Sequence, residues 1–247
     1  MNTHTLDRNT EPAATSGTGP AQATGRADLY AGIHKALRLF MSHTLCQVGS
    51  TDPSSDAEVT AMLGLLERLL ALCELHLKDE NEFVHPALEA ARAGSSARIA
   101  GEHEHHGEAI ADLRDLAGLV RNSRGNARSA ASARLYRALA LFVADNFQHM
   151  HVEETAHNAV LWAHYSDDHL MAIEQAIVAS IPPAAMFEAL HWFLPALNAP
   201  ERAAMLAGMQ QGMPPEPFAA VLGIAQGTLS ADAYAALMRA LGLPPLR

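Results

Sequence analysis

The sequence predicts an all-α fold, an up-down four-helix bundle with additional C-terminal helices. The chain is rich in Ala and Leu and has few runs of β-branched residues, which favours helices over strands. Four successive segments repeat apolar residues at steps of three and four, the period of one helical face. Short polar turns (STDPSSD, ARAGSS and RNSRGNARS) separate these segments, so neighbouring helices are expected to run antiparallel.

Three regions are expected along the 247 residues. Residues 1–25 are polar and rich in Gly, Pro and Thr, which predicts a disordered N-terminal tail. Residues 26–166 should form the bundle, and residues 167–247 a C-terminal helical extension. Within the extension, residues 182–209 resemble residues 214–240, which suggests a duplicated helix–turn–helix unit. The extension is expected to pack on the bundle or to form a partner surface, and a homodimer through it is left open.

The first two bundle helices are predicted over residues 27–48 and 56–84. Pro86 disfavours a helical conformation at His85, so the second helix is expected to bend or stop there. The apolar stripes that should face the core also contain polar residues, namely His34 on the first helix and His76 with Glu80 on the second.

The third and fourth helices are predicted over residues 97–121 and 129–165. Their core-facing stripes contain His103 and His106 on the third helix and His149 with Glu153 on the fourth. Histidines therefore lie on the core stripe of four successive helices. Because a buried, unpaired imidazole or carboxylate costs several kcal/mol, such a cluster needs either a dense hydrogen-bond network or a metal.

Two copies of one spacing, His76-x-x-x-Glu80 and His149-x-x-x-Glu153, indicate a metal site. Each copy places an imidazole and a carboxylate on one helical face, about one turn apart. Two such pairs on two helices favour a shared two-metal site, with carboxylates able to hold cations about 3.5–4 Å apart. Imidazole and carboxylate without thiolate suit iron or manganese, and zinc also fits. The candidate ligands are His34, His76, Glu80, His103, His106, His149 and Glu153, with His106 alternatively a hydrogen-bond partner of a glutamate.

These residues resemble the hemerythrin-like family, the bundles called HHE cation-binding domains, over about residues 27–162. The resemblance is carried by His76, Glu80 and Pro86 at their spacing, by Glu102-His103 in the third helix, and by HMHVEE from His149 to Glu154 in the fourth. It implies a four-helix bundle with a non-haem di-iron centre, two iron ions joined by two carboxylates and an oxo or hydroxo bridge, with manganese or zinc less favoured. It also implies terminal ligands at His34, His76, His103 and His149, and bridges at Glu80 and Glu153.

The sequence departs from the oxygen-carrying members of this family at the third helix. Those members have two histidines four residues apart, but Gly107 is four residues after His103, and His106 is three. The fifth imidazole is therefore left open. The fourth helix has Glu153 four residues after His149 instead of an Asp at five, which is similar to bacterial members.

A ferritin-like di-iron fold is the structural alternative. It needs two Glu-x-x-His motifs and two further glutamates. The chain contains Glu82-x-x-His85 and Glu154-x-x-His157, but both are expected to lie off the core stripes, with His157 at the surface. The first helix contains no glutamate, which also argues against this fold.

The expected function is a non-haem di-iron protein that binds O₂ or NO, or that senses oxygen or iron. The alternative is a di-iron oxidase or a peroxide-consuming stress-repair enzyme, and a purely structural metal site is a third possibility. The net charge of −10 argues against nucleic acid as a partner. No apolar run approaches the roughly 18 residues that span a bilayer, and no apolar signal core is present, so a cytoplasmic location is expected. Both cysteines, Cys46 and Cys73, are expected to be buried, reduced thiols.

Overall fold

The computed structural model describes residues 25–244, and every regular element in that range is helical. The α-helices are α1 (Ala31–Ser50), α2 (Asp56–Asp79), α3 (His85–Ala91), α4 (Ala97–Asn122), α5 (Gly125–Val152), α6 (Asn158–His164), α7 (Asp167–Ser180), α8 (Pro183–Ala196), α9 (Ala199–Gly212), α10 (Pro215–Thr228) and α11 (Ala231–Ala240). Two π-helical turns, π1 (Glu80–Val84) and π2 (Glu153–His157), join α2 to α3 and α5 to α6. The all-α prediction is confirmed. The prediction of a disordered tail falls almost entirely on residues outside the described range.

The four long helices α1, α2, α4 and α5 form the bundle. Each packs against two of the others, in the pairs α1–α2, α2–α4, α4–α5 and α5–α1. One core runs between them and includes a fully buried side chain from each helix: Leu37, Leu66, Ile110 and Leu135. Burial of each such side chain contributes about 1.5–3 kcal/mol to the stability of the bundle. The packed helices in turn hold the polar residues of the four core-facing stripes at fixed distances from one another.

Local hydrogen bonds set the ends of the helices at one end of the bundle. The Ser55 hydroxyl accepts a hydrogen bond from the Glu58 backbone N–H and so caps α2. The buried guanidinium of Arg128 on α5 donates to the Ser123 carbonyl and to the Asp56 carboxylate at the start of α2. These bonds fix α2 against α5, the two helices that contain the His-x-x-x-Glu pairs.

The helical backbone continues past Glu80 and Glu153 through the two π turns. In π1 the His85 N–H donates to the Glu80 carbonyl, and in π2 the Asn158 N–H donates to the Glu153 carbonyl, five residues back in each case. Of the two outcomes expected at His85, a bend or a stop, the stop is therefore wrong. The extra residue in each π turn rotates the following side chains by about 100° relative to the α-helical register.

In space the C-terminal helix α8 packs on α10 and α9 on α11, while along the chain these helices follow one another as two successive pairs, α8–α9 and α10–α11. Their first helices begin at Pro183 and Pro215 and their second helices at Ala199 and Ala231, a displacement of 32 residues in both cases. The two pairs enclose a second apolar core that includes residues from all four helices. This arrangement agrees with the duplicated unit that the sequence suggests, while the exact domain boundaries remain a prediction.

The extension packs on the bundle through α8. Ala189 joins the bundle core, and the Trp192 ring stacks on Phe40 of α1, with centroids 3.8 Å apart and an interplanar angle of 10°. Cys73 is buried as expected, but Cys46 is exposed because it lies on the outer face of α1. Within residues 25–244, no single helix is long and apolar enough to cross a membrane, and only α7 and α8 together, bent by 118°, meet those criteria.

Candidate metal centre

Six of the seven predicted ligands lie together inside the bundle. They are His34 of α1, His76 and Glu80 of α2 and π1, His103 of α4, and His149 and Glu153 of α5 and π2. All except His76 are at most 5% exposed to solvent. The side chains meet because the polar residues of the four core-facing stripes lie at the same height along the bundle axis.

The six side chains divide into two groups that share both glutamates. The first group consists of His34 and His76 with Glu80 and Glu153, and the second of His103 and His149 with the same two glutamates. In each group the potential ligand atoms all lie within 4.8 Å of one another. Two cations that share both carboxylates would fit this division of the ligands.

In the first group, the imidazoles face one oxygen of each glutamate. The Nε2 atom of His34 lies 3.4 Å from Glu153 Oε2 and 3.8 Å from Glu80 Oε1. The Nε2 atom of His76 lies 3.3 Å from the same Glu80 Oε1. Two ligands that each lie about 2.0–2.1 Å from one cation, at an angle between 90° and 110°, are about 2.8–3.4 Å apart, so these separations are close to those of a metal site.

In the second group, the imidazoles face the other oxygen of each glutamate. The Nε2 atom of His103 lies 3.3 Å from Glu80 Oε2 and 3.7 Å from Glu153 Oε1. The Nε2 atom of His149 lies 3.2 Å from Glu153 Oε1 and 3.2 Å from His103 Nε2. Each carboxylate therefore directs one oxygen to each histidine pair, the geometry of a bridge between two cations.

The polar atoms at the centre fit cations better than they fit one another. Among the described residues, the buried atoms without a hydrogen-bond partner include His34 Nε2, His76 Nε2 and both oxygens of Glu80 and of Glu153. Leaving a buried carboxylate without a partner costs several kcal/mol. A buried ion-pair network, the alternative to a metal site, would offset these charges at N···O separations of 3.2–3.8 Å but would leave the six atoms without hydrogen bonds, whereas two cations would contact all of them.

The outer nitrogen of three of these imidazoles is held by a hydrogen bond. Nδ1 of His34 donates to Glu154 Oε1 at 3.0 Å, and Nδ1 of His149 donates to Glu102 Oε2 at 2.9 Å. Nδ1 of His103 donates to the Asn81 side-chain oxygen at 2.8 Å. These bonds leave each Nε2 lone pair free to bind a cation and fix the orientation of each ring. Glu102 and Glu154 thus act as hydrogen-bond partners of candidate ligands.

The imidazoles differ in their affinity for protons. Burial lowers the pKa of His34, but the hydrogen bond to Glu154 and the nearby carboxylate of Glu80 outweigh burial and raise this pKa to about 9. At His103, burial is likewise outweighed, here by the nearby carboxylates of Glu153 and Glu80, and the pKa is raised to about 9. Burial prevails at His76 and lowers its pKa to about 4. In the absence of metal, His34 and His103 are therefore the cations that offset the two buried glutamates at neutral pH.

A family model described as the hemerythrin HHE cation-binding domain matches residues 27–157, more than half of the chain. The chain belongs to this family. The matched residues include both histidine pairs and both glutamates, and the match ends at the last residue of π2. Cation binding is thus the general function that the family and the buried His/Glu cluster support. Comparisons with curated proteins and with solved structures gave no match.

His106, the seventh predicted ligand of this HHE domain, lies outside both groups. It is 1% exposed, as its place on the core stripe predicts, and its ring meets His149 edge-on with centroids 4.7 Å apart. Its Nε2 contacts Asp145 Oδ2 at 2.9 Å, while Nδ1 is buried without a partner in the described part of the chain. The structure therefore places His106 beside a candidate ligand, and its own role as a ligand stays a prediction.

Two histidines of the HHE domain that were expected to lie off the core stripes are buried beside the centre. His85 is 6% exposed and His157 is 2% exposed, and with Glu153 they form a third group whose potential ligand atoms lie within 4.8 Å of one another. The expectation that His157 lies at the surface is wrong, because the π turns rotate His85 and His157 towards the bundle axis. The signal in the sequence is a histidine four or five residues after each His-x-x-x-Glu glutamate.

Proposed function

We propose that this HHE domain holds two iron ions bridged by Glu80 and Glu153 and that the centre binds a small ligand such as O₂ or NO. The observation that carries this proposal is the division of each carboxylate between the two histidine pairs. Four imidazoles and two carboxylates without a thiolate suit iron better than the softer metals. Iron would supply reversible electron transfer and an open coordination position for the ligand.

The protein part of this function is to position ligands and to limit access by water. Glu154, itself paired with Arg38, and Glu102 orient the imidazoles of His34 and His149 from outside the centre. Such outer hydrogen bonds typically contribute 10–100-fold to metal affinity. Because the centre lies inside the bundle, a bound ligand would have little contact with bulk water, which favours a defined complex over uncontrolled oxidation.

The second candidate function is a peroxide-consuming enzyme or oxidase. It is favoured by one specific observation: Tyr30, His85 and His157 place polar groups beside the centre, where a simple carrier needs only an apolar pocket. Groups that donate hydrogen bonds stabilise reduced, anionic forms of oxygen. These residues therefore bear on whether oxygen is bound reversibly or is consumed.

The test begins with anaerobic loading of the protein with Fe(II), which should give about two iron ions per chain. Titration of the reduced protein with O₂ then distinguishes the two candidates. A stable spectrum that reverses when O₂ is removed supports a binding protein, while rapid conversion to the ferric state with consumption of peroxide supports an enzyme. A wild-type chain that retains one iron or none would contradict the proposed centre.

A further inference from the structure

Tyr30, His85 and His157 form a connected polar group on one side of the centre. The His85 ring stacks on His103 of the second group, with centroids 4.9 Å apart, and meets His157 edge-on at 5.9 Å. Tyr30 links His157 to the first group, since its ring lies 5.3 Å from that of His34. The two imidazoles, called here the His85–His157 pair, thus lie beside both cation groups.

The hydrogen bond between Tyr30 and His157 decides which ring nitrogen of His157 carries the proton. The Tyr30 hydroxyl lies 3.0 Å from His157 Nδ1, its only side-chain partner within the described range. Tyr30 is 1% exposed, and burial raises its pKa, so the phenol keeps its proton. Because His157 Nδ1 is the one side-chain acceptor within reach among the described residues, we assign the hydroxyl as the donor. Nδ1 is then an acceptor, and Nε2 of His157 carries the N–H.

His85 also offers an unused nitrogen. Its Nε2 atom is buried and has no hydrogen-bond partner among residues 25–244. A buried nitrogen in this state costs about 1–3 kcal/mol unless a ligand pairs with it. The His85–His157 pair therefore supplies one buried nitrogen that no described protein group satisfies, His85 Nε2, and beside it the Nε2–H of His157, next to the Glu153 carboxylate.

We propose that the His85–His157 pair donates hydrogen bonds to a small anion bound at the metal centre, of the class of hydroperoxide or azide. This inference rests on the proposed function, because the anion requires the cations. Two ferrous ions would carry four positive charges and two ferric ions six, while the two shared glutamates carry only two negative ones, so an anion would reduce the excess in either oxidation state.

A third cation is the other ligand that the group of His85, His157 and Glu153 would fit by residue type. It would add to the excess positive charge in a buried site, where unbalanced charge is costly. A His157 Nε2 that carries a proton has no lone pair to offer a metal. Both arguments favour the anion.

The test measures azide binding to the iron-loaded protein by its absorption spectrum. His85→Phe and His157→Phe keep a flat ring but remove the donor, and each should retain about two iron ions and bind azide about 10–100-fold more weakly, as expected for one hydrogen bond to a charged group. His85→Gln and His157→Gln keep an N–H donor and should recover part of the affinity. His105→Phe, an exposed histidine on α4, is the matched control and should bind azide like the wild type.

A measurement on the wild-type protein tests the inference even if the variants fail to fold. The infrared stretch of bound azide should shift between H₂O and D₂O, because exchangeable N–H groups bind it. Unchanged azide affinity in both Phe variants with iron retained, or an absent isotope shift, would overturn the inference and leave the proposed function intact. Three metal ions per chain that fall to two in the variants would overturn it in favour of a third cation. A wild-type protein without an iron pair would refute the proposed function itself.

Discussion

Glu80 and Glu153 are each the first residue of a π-helical turn, and each follows a histidine by four residues. Pro86 follows π1 and cannot donate a backbone hydrogen bond, but π2 has no proline nearby, so proline is not the common cause. What the two turns share is a buried glutamate that faces both histidine pairs. The widened backbone begins where the candidate bridges lie, and it also brings His85 and His157 into the core.

Replacement of a candidate bridge should remove metal. In Glu80→Gln and in Glu153→Gln, the neutral amide provides one oxygen in place of the two that contact both groups. We expect each variant to lose at least one of two iron ions per chain, measured by elemental analysis after anaerobic loading and desalting. The increase in melting temperature that iron gives the wild type should also shrink, since metal binding is coupled to folding.

The matched control for these variants is Glu82→Gln. Glu82 lies on the same π turn as Glu80, but it is exposed and pairs with Lys78. Its replacement should leave the iron content at the wild-type value. Full iron content in both bridge variants would show that the carboxylates do not hold the cations.

His103 and His106 on α4 should respond differently to the same substitution. His103 Nε2 faces both glutamates, so His103→Gln should lose iron from the second group. His106 Nε2 is engaged by Asp145, so His106→Gln should keep both ions and weaken binding only through its contact with His149. Iron content and iron affinity of the two variants provide the comparison. Equal loss of iron in both would make His106 a ligand.

The stability of the metal-free protein should fall as the pH rises from about 6.5 to 9. The folded-state pKa values of His34 and His103 are raised to about 9, above the value of about 6.5 in an unfolded chain. A raised pKa stabilises the folded protein fully below pH 6.5, and this contribution is lost as the pH passes through about 9. Metal binding should show the opposite trend over the same interval, because cations bind the deprotonated imidazoles.

Melting temperatures at pH 6, 7, 8 and 9, in EDTA and separately with Zn²⁺, would show both trends. The double variant His34→Gln, His103→Gln is the control, and its melting temperature in EDTA should depend less on pH. A wild-type melting temperature in EDTA that rises over this interval would contradict the assignment of the two protonated imidazoles.

Helical periodicity predicts the bundle well because it reports directly which residues face the core. The third helix was expected over residues 97–121, and α4 spans Ala97–Asn122. The same argument fails at His85 and His157, because it assumes 3.6 residues per turn and each π turn adds one residue. It also places His106 correctly in the core but cannot identify its partner, since Asp145 lies 39 residues away in sequence.

The stack of Trp192 on Phe40 should couple the extension to the bundle. Phe40 is fully buried and the two rings are nearly parallel, so Trp192→Ala would remove both packing and an aromatic pair. We expect the free energy of unfolding, measured with urea, to fall by about 2–3 kcal/mol, below the range for a fully buried Trp because Trp192 is partly exposed. Iron content should not change, since neither ring belongs to the metal centre.

Two further variants separate the stack from other effects of substitution. Trp192→Phe keeps an aromatic ring on Phe40 and removes an indole N–H that is buried without a partner among the described residues, so its stability should stay close to that of the wild type. Leu141→Ala changes a side chain on α5 that is 74% exposed, and its effect should lie within about 0.5 kcal/mol. If Trp192→Ala were as mild as Leu141→Ala, the stack would not hold the extension on α1, and the contacts of α8 through Ala189 would have to do so.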